Sequence, residues 1–114
     1  MPHAIVNPND IEPINGVFRP LRQALGVSAF GLNQIELPPD AEGPEHDHAA
    51  DGQEEVYVII RGGGAIRVEG VESALEAGQC VFLSPDARRQ MVAGPEGLAW
   101  LGIGCQPGAY RPRQ

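Results

Sequence analysis

The chain predicts an all-β domain, a sandwich or a barrel, on three observations. Fifteen glycines and eleven prolines cut its 114 residues into pieces too short for most helices. Several of those pieces are rich in Val, Ile, Phe, Tyr and Trp, residues that suit a pleated, half-buried surface. The joints between them, "PPD", "GGG", "EG", "SPD" and "GPEG", carry turn chemistry.

Taken in order, the predicted strands are "VSAFGLNQIEL" (27–37), "EVYVIIRG" (55–62), "GAIRVEG" (64–70), "SALEAG" (73–78), "QCVFLSP" (79–85), "RQMVAG" (89–94) and "GLAWLGIG" (97–104). The stretch "VESALEAG" has helical propensity, but turn signals on both sides leave a helix little room, so a strand is expected. A helical turn is expected at one place, "FRPLRQAL" (18–25). This gives an N-terminal arm over 1–26, a barrel over 27–104 and a C-terminal tail over 105–114, both ends being rich in proline. No internal repeat or low-complexity segment interrupts the pattern.

Composition narrows the function classes. The chain has one domain's length, and its 42% hydrophobic content suits an ordinary core. Prolines and acids break up the N-terminus, where a signal peptide needs an apolar block. No apolar run approaches the roughly 20 residues of a membrane span, so no membrane partner is expected. Cys80 and Cys105 are too few for a disulfide framework and read as reduced, packed thiols, which makes a cytoplasmic location the default expectation. A net charge of −7 argues against nucleic acid as a partner. All eight cationic side chains are arginine, which removes Schiff-base chemistry and leaves permanently charged, forked anion binders. Eight of the fifteen acids lie between Glu36 and Glu55, a segment that reads mainly as a solvated loop and tolerates a divalent cation.

Within that segment, "PEHDHAADGQEEVYVIIRGGG" carries the chemistry. In an extended chain, residues i and i+2 share a face, so His46 and His48 project together while Asp47 turns away. By the same rule Glu55, Tyr57 and Ile59 share one face of the next strand. If the two segments pair as neighbours, Glu55 meets both imidazoles, and two histidines plus a carboxylate form a recognised divalent-metal set. An H-x-H alone more often marks a hydrated loop; the glutamate and glycine that follow shift the balance. Tyr57 is a candidate cavity wall or acid, and Gln34 a candidate pocket hydrogen-bonder. Trp100 reads as a core or interface anchor, and His3 as exposed.

This run resembles the first motif of the cupins, G-x5-H-x-H-x3–4-E-x6-G. It supplies Asp40, five residues, His46, Asp47, His48, six residues, Glu55, six residues and Gly62. The second motif, G-x5-P-x-G-x2-H-x3-N, is matched by Gly78, "QCVFL", Ser84, Pro85, Asp86, "AR", Arg89, "QMV" and Ala93. Across residues 27–104 the chain therefore resembles a small single-domain conserved-barrel cupin. The resemblance implies a double-stranded β-helix, a jelly-roll barrel with its site in the open end. It also implies metal ligation by His46, His48 and Glu55, with zinc, nickel, manganese or iron as candidate ions. A small-molecule ligand and a homodimer are implied with it.

Five residues depart from the motifs, Ser84 and Ala93 among them, and the other three bear on the site. Asp40 and Asp86 replace glycines at turns, where aspartate tolerates positive φ better than most residues. Arg89 replaces the third histidine and cannot ligate a metal, because it stays protonated. It can swing aside from a three-ligand ion, pair with Glu55 in place of the ion, or take a substrate carboxylate at the pocket rim. A guanidinium within a few Å of a divalent ion is repelled by several kcal/mol at intermediate dielectric. Two functions follow: a metal-binding cupin acting on a small oxygen-bearing or anionic molecule, and a metal-free ligand-binding cupin in which Arg89 replaces the metal. Whether the chain is an enzyme stays open.

Overall fold

A computed structural model describes residues 2–113. The chain order is a 3-10 turn at Pro8–Asp10, then β1 (Phe18–Arg19), α1 (Leu21–Leu25), β2 (Gly31–Leu37), β3 (Glu54–Val68), β4 (Val71–Glu76), β5 (Cys80–Leu83) and β6 (Arg89–Cys105). The predominance of strands bears out the all-β expectation, "VESALE" is a strand, and the one α-helix among the described residues lies where the helical turn was expected. That helix ends on Gly26 in the left-handed conformation (φ 80°), whose N–H bonds back to Arg22.

All strand pairs are antiparallel, in the order β1-β2-β6-β3-β4, with β5 added against β3. Two long strands organise the rest. The pieces expected at 55–62 and 64–70 are one strand, as are those at 89–94 and 97–104. Glycines that read as turns instead let the ladder bend: the β3–β6 register shifts between Ile59 and Arg61 and between Gly62 and Gly64. At Gly62 (φ 75°) a Cβ would lie 2.1 Å from the Gly97 carbonyl oxygen, so the strand crossing needs a residue without a side chain.

The bends wrap the sheet around one core, because Ile66, Leu75 and Met91 from one end pack with Leu37, Tyr57, Ile59, Leu98 and Trp100 from the other. Residues 40–46 close the far edge of β6: Asp40 donates to Gly94, Gly43 to Met91, and His46 exchanges bonds with Arg89. Asp40 takes positive φ (62°), as the turn predicted. Asp86 does not. It caps its turn by accepting from Ser84 Oγ at 3.0 Å, so no left-handed residue is needed there.

The segment before β2 is pinned to the body through Arg19, which bonds Glu36 at 2.8 Å and the carbonyls of Pro8 and Ile11. Burial alone would raise the Glu36 carboxyl. The bonds from Arg19 and Gln34 outweigh it and hold that carboxyl below its ordinary range. Both cysteines are free, but Cys80 is exposed where a packed thiol was expected, because it lies on the outer face of β5. No described helix is long and apolar enough to cross a membrane.

Candidate metal centre

His46 enters the site from the extended segment before the "AADGQ" loop. Its N–H donates to the Arg89 carbonyl at 2.9 Å and its carbonyl accepts from Arg89 at 2.8 Å, while His48 N–H donates to Pro85 at 2.7 Å. The histidine segment therefore pairs with the start of β6, not with β3. Both edges of β3 at Glu55 are already taken, by Leu83 and by Gly104. The imidazoles instead meet Glu55 across the barrel interior.

The meeting is close. His46, His48 and Glu55 each offer one ligand atom within 4.8 Å of the others, and the two rings stand edge to face with centroids 5.4 Å apart. Each ring has its Nδ1 anchored from outside: His48 to the Asp51 carboxylate at 3.1 Å, His46 to the Pro44 carbonyl at a longer 3.4 Å. Anchoring at Nδ1 leaves His48 Nε2 facing Glu55, the arrangement by which outer partners orient metal-ligating histidines. The His48 ring in turn holds the Asp51 carboxyl below its ordinary range. His48 Nε2 lies 3.2 Å from Glu55 Oε1. With its proton on Nδ1, toward Asp51, a neutral ring turns a lone pair to that oxygen, and a shared cation relieves the contact. The donor set fits a divalent metal.

Glu55 Oε1 also accepts from Tyr57 O–H at 3.1 Å and from Arg89 Nη2 at 2.6 Å. Tyr57 is 4% exposed and tilts against Trp100. Burial, with the Glu55 charge added, pushes its phenol up to about 12, so it is a neutral donor at any physiological pH. Arg89 is 0% exposed. Burial opposes its charge, but Glu55 and Tyr57 beside it more than offset this, and its pKa is raised. It is not on the cavity wall where a rim anchor would stand. Its fork is turned onto Glu55, and a substrate carboxylate cannot reach it without breaking that pair.

The cavity beside the site has a volume of about 380 Å³. His46, His48, Glu55, Tyr57 and Asn33 supply its polar groups, while Phe18, Ile35, Leu37, Met91 and Trp100 form an apolar wall. Gln34, read as a pocket hydrogen-bonder, points away from it and donates to Glu36 at 2.7 Å. The register of β2 turns Asn33, Ile35 and Leu37 inward and Gln34 outward. Asn33 and Asp51 are the residues that sequence reasoning missed. Strand parity could have found the first once Ile35 was placed in the core. Nothing local singles out Asp51 among the surrounding acids.

The family model for the cupin domain matches residues 33–104. The chain belongs to the cupin family. This cupin is 34% identical over 86 residues to dimethylsulfoniopropionate lyase DddW of Ruegeria pomeroyi, covering 75% of the present chain and half the length of that protein. Among solved structures it resembles a cupin protein from Bacteroides fragilis (TM-score 0.83, 23% identity, covering 100% of this chain and 92% of that one). It also resembles a predicted oxalate decarboxylase from Thermotoga maritima (TM-score 0.76, 20% identity, 90% and 99%). At these identities the structures speak to the fold, a double-stranded β-helix, and to nothing finer.

Proposed function

We propose that this cupin binds a divalent metal ion through His46, His48 and Glu55 and takes a small oxygen-bearing molecule into the adjoining cavity. The observation that carries the reading is the convergence of His46, His48 and Glu55, whose ligand atoms all lie within 4.8 Å of one another, with the His48 ring held at Nδ1 by Asp51. When bound, such an ion supplies a Lewis acid for a carboxylate or carbonyl oxygen. The chain's own residues do the rest. Phe18, Ile35, Leu37, Met91 and Trp100 exclude water from the body of the ligand. Tyr57 holds a proton beside the polar end, where it can donate to a developing negative charge.

The cavity wall exposes no lysine or arginine, so a ligand with one polar head and an apolar remainder suits it better than a phosphate or a dianion. The similarity to a dimethylsulfoniopropionate lyase makes β-elimination from a small carboxylate the first reaction to screen. The matched stretch covers only half of that relative, and likeness of fold selects no reaction.

The test is metal retention. Protein stripped with chelator and dialysed to equilibrium against excess Zn²⁺, Mn²⁺, Ni²⁺ or Fe²⁺ should hold close to one ion per chain. His48→Ala and Glu55→Ala should keep none. Wild-type protein that retains no metal sinks the reading. Zinc or nickel will outcompete iron at such a set on affinity alone, so the ion retained in vitro need not be the one used in the cell.

One observation favours a second reading, in which the barrel binds its ligand without metal: the 2.6 Å pair of Arg89 with Glu55 already neutralises the carboxylate. Under it, a ligand raises the melting temperature equally in chelator and in metal. A homodimer is part of the proposal. Leu32, Ile103, Val56 and Phe82 form an uncharged cross-strand row on the outer face, with Phe82 63% exposed, along which two copies can meet.

A further inference from the structure

Arg89 stands opposite His46 and exchanges both backbone hydrogen bonds with it, at 2.9 and 2.8 Å. Directly opposed residues on antiparallel strands send their side chains to the same face. The arginine therefore leaves β6 on the imidazole side, at the position where the motif carries a histidine. Its side chain reaches the carboxylate at the far side of the site. There Nη2 donates to Glu55 Oε1 at 2.6 Å, and Nη1 donates to the Ala87 carbonyl at 2.6 Å and to Ser84 at 3.4 Å. The Nε–H has no partner, and no part of the residue is exposed.

This is a cation fixed inside the barrel. Withdrawal would break its bonds to Glu55, Ala87 and Ser84, and a guanidinium cannot discharge itself by losing its proton. It sits on the same carboxylate oxygen that faces His48.

We infer that Arg89 is an internal counter-cation of the His46–His48–Glu55 group, a positioning residue that holds Glu55 in place and keeps divalent metal affinity low. The inference rests on the metal-centre reading above. Arg89 opposes a metal in two ways: by charge repulsion across a desolvated gap, and by competing for Glu55 Oε1. A neutral donor at this position removes the first and weakens the second. A histidine adds a ligand as well.

The test titrates chelator-stripped protein with Co²⁺, whose visible bands report the ligand environment, and obtains Kd by competition. Wild type is compared with Arg89→Gln, Arg89→His and Arg89→Lys, each checked for folding by thermal melting. Arg89→Gln should bind about 10-fold or more tightly than wild type. Arg89→Lys, which keeps the charge, should stay within about 3-fold. Arg89→His should bind tightest and shift the cobalt bands as a further imidazole joins. Folded Arg89→Gln that binds no better than wild type overturns the inference. If that variant does not fold, Arg89→His without tightening does the same. Failure of the two readings is separable. Tight binding by the variants with none by wild type sinks the metal-centre reading and upholds the counter-cation. Binding by wild type that no variant surpasses does the reverse, and no binding by any of the four overturns both.

Discussion

Asp51 touches neither the cavity nor Glu55, yet its carboxylate selects which nitrogen of His48 faces inward. Asp51→Ala should therefore lower metal affinity by about 10- to 100-fold while leaving all three ligands in place. Competition titration against a chromophoric chelator reads the change. Tyr57 gives a pH signature. Its folded-state pKa is raised from 10.0 to about 12, so the stability tied to the protonated phenol is complete below about pH 10 and is lost as pH rises through the folded value. Wild type should lose about 1–2 kcal/mol more than Tyr57→Phe between roughly pH 9.5 and 11.5, read from denaturant midpoints at each pH. At this scale the sequence was legible where chemistry and spacing agree. His46, His48 and Glu55 announce themselves by residue type, and Tyr57 by its parity with Glu55. Asp51 does not, because in a loop crowded with acids only three-dimensional contact tells a hydrogen-bonding carboxylate from a solvated one. Arg89 was legible as a departure but not in its direction. Whether a guanidinium points inward depends on the carboxylate it finds there.

Among the elements, β3 and β6 carry the most weight, since each runs the length of the barrel and holds part of the site. Glycine and proline within them read as breaks because local signals do not reveal that a partner strand continues alongside. The tertiary ladder overrides the punctuation, and the glycines serve as bends. Gly62→Ala tests this directly. The added methyl meets the Gly97 carbonyl at 2.1 Å from a backbone with φ of 75°, so the variant should lose about 3 kcal/mol or more in denaturant unfolding. A neutral result would mean the crossing has slack. The histidine segment shows the complementary limit. Alternation correctly put His46 and His48 on one side, but the pairing with β3 did not form, because β5 and β6 already flank Glu55.

Across the whole molecule, the fold class followed from composition and turn chemistry, and the jelly roll from resemblance to two motifs whose spacing, apart from a longer loop between His48 and Glu55, survives several substitutions. Closure of the sheet brings those motifs together. Residues 46–48 and 89 lie next to each other because residues 40–46 run along β6. The outer face belongs to this scale too. If two copies meet across the Leu32, Ile103, Val56 and Phe82 row, Phe82→Asp should turn a dimer into a monomer in light scattering without changing metal retention. A wild-type monomer would remove the dimer and leave the site untouched.

The central claim is that His46, His48 and Glu55 hold one metal ion in the presence of Arg89. The most direct measurement is anomalous diffraction from crystals grown with Zn²⁺ or Co²⁺, recorded on both sides of the metal edge. One peak per chain, bonded to both imidazoles at about 2.0–2.1 Å and to the Glu55 carboxylate, is the predicted result. No peak at that point, with Arg89 still closed on Glu55, would contradict the account.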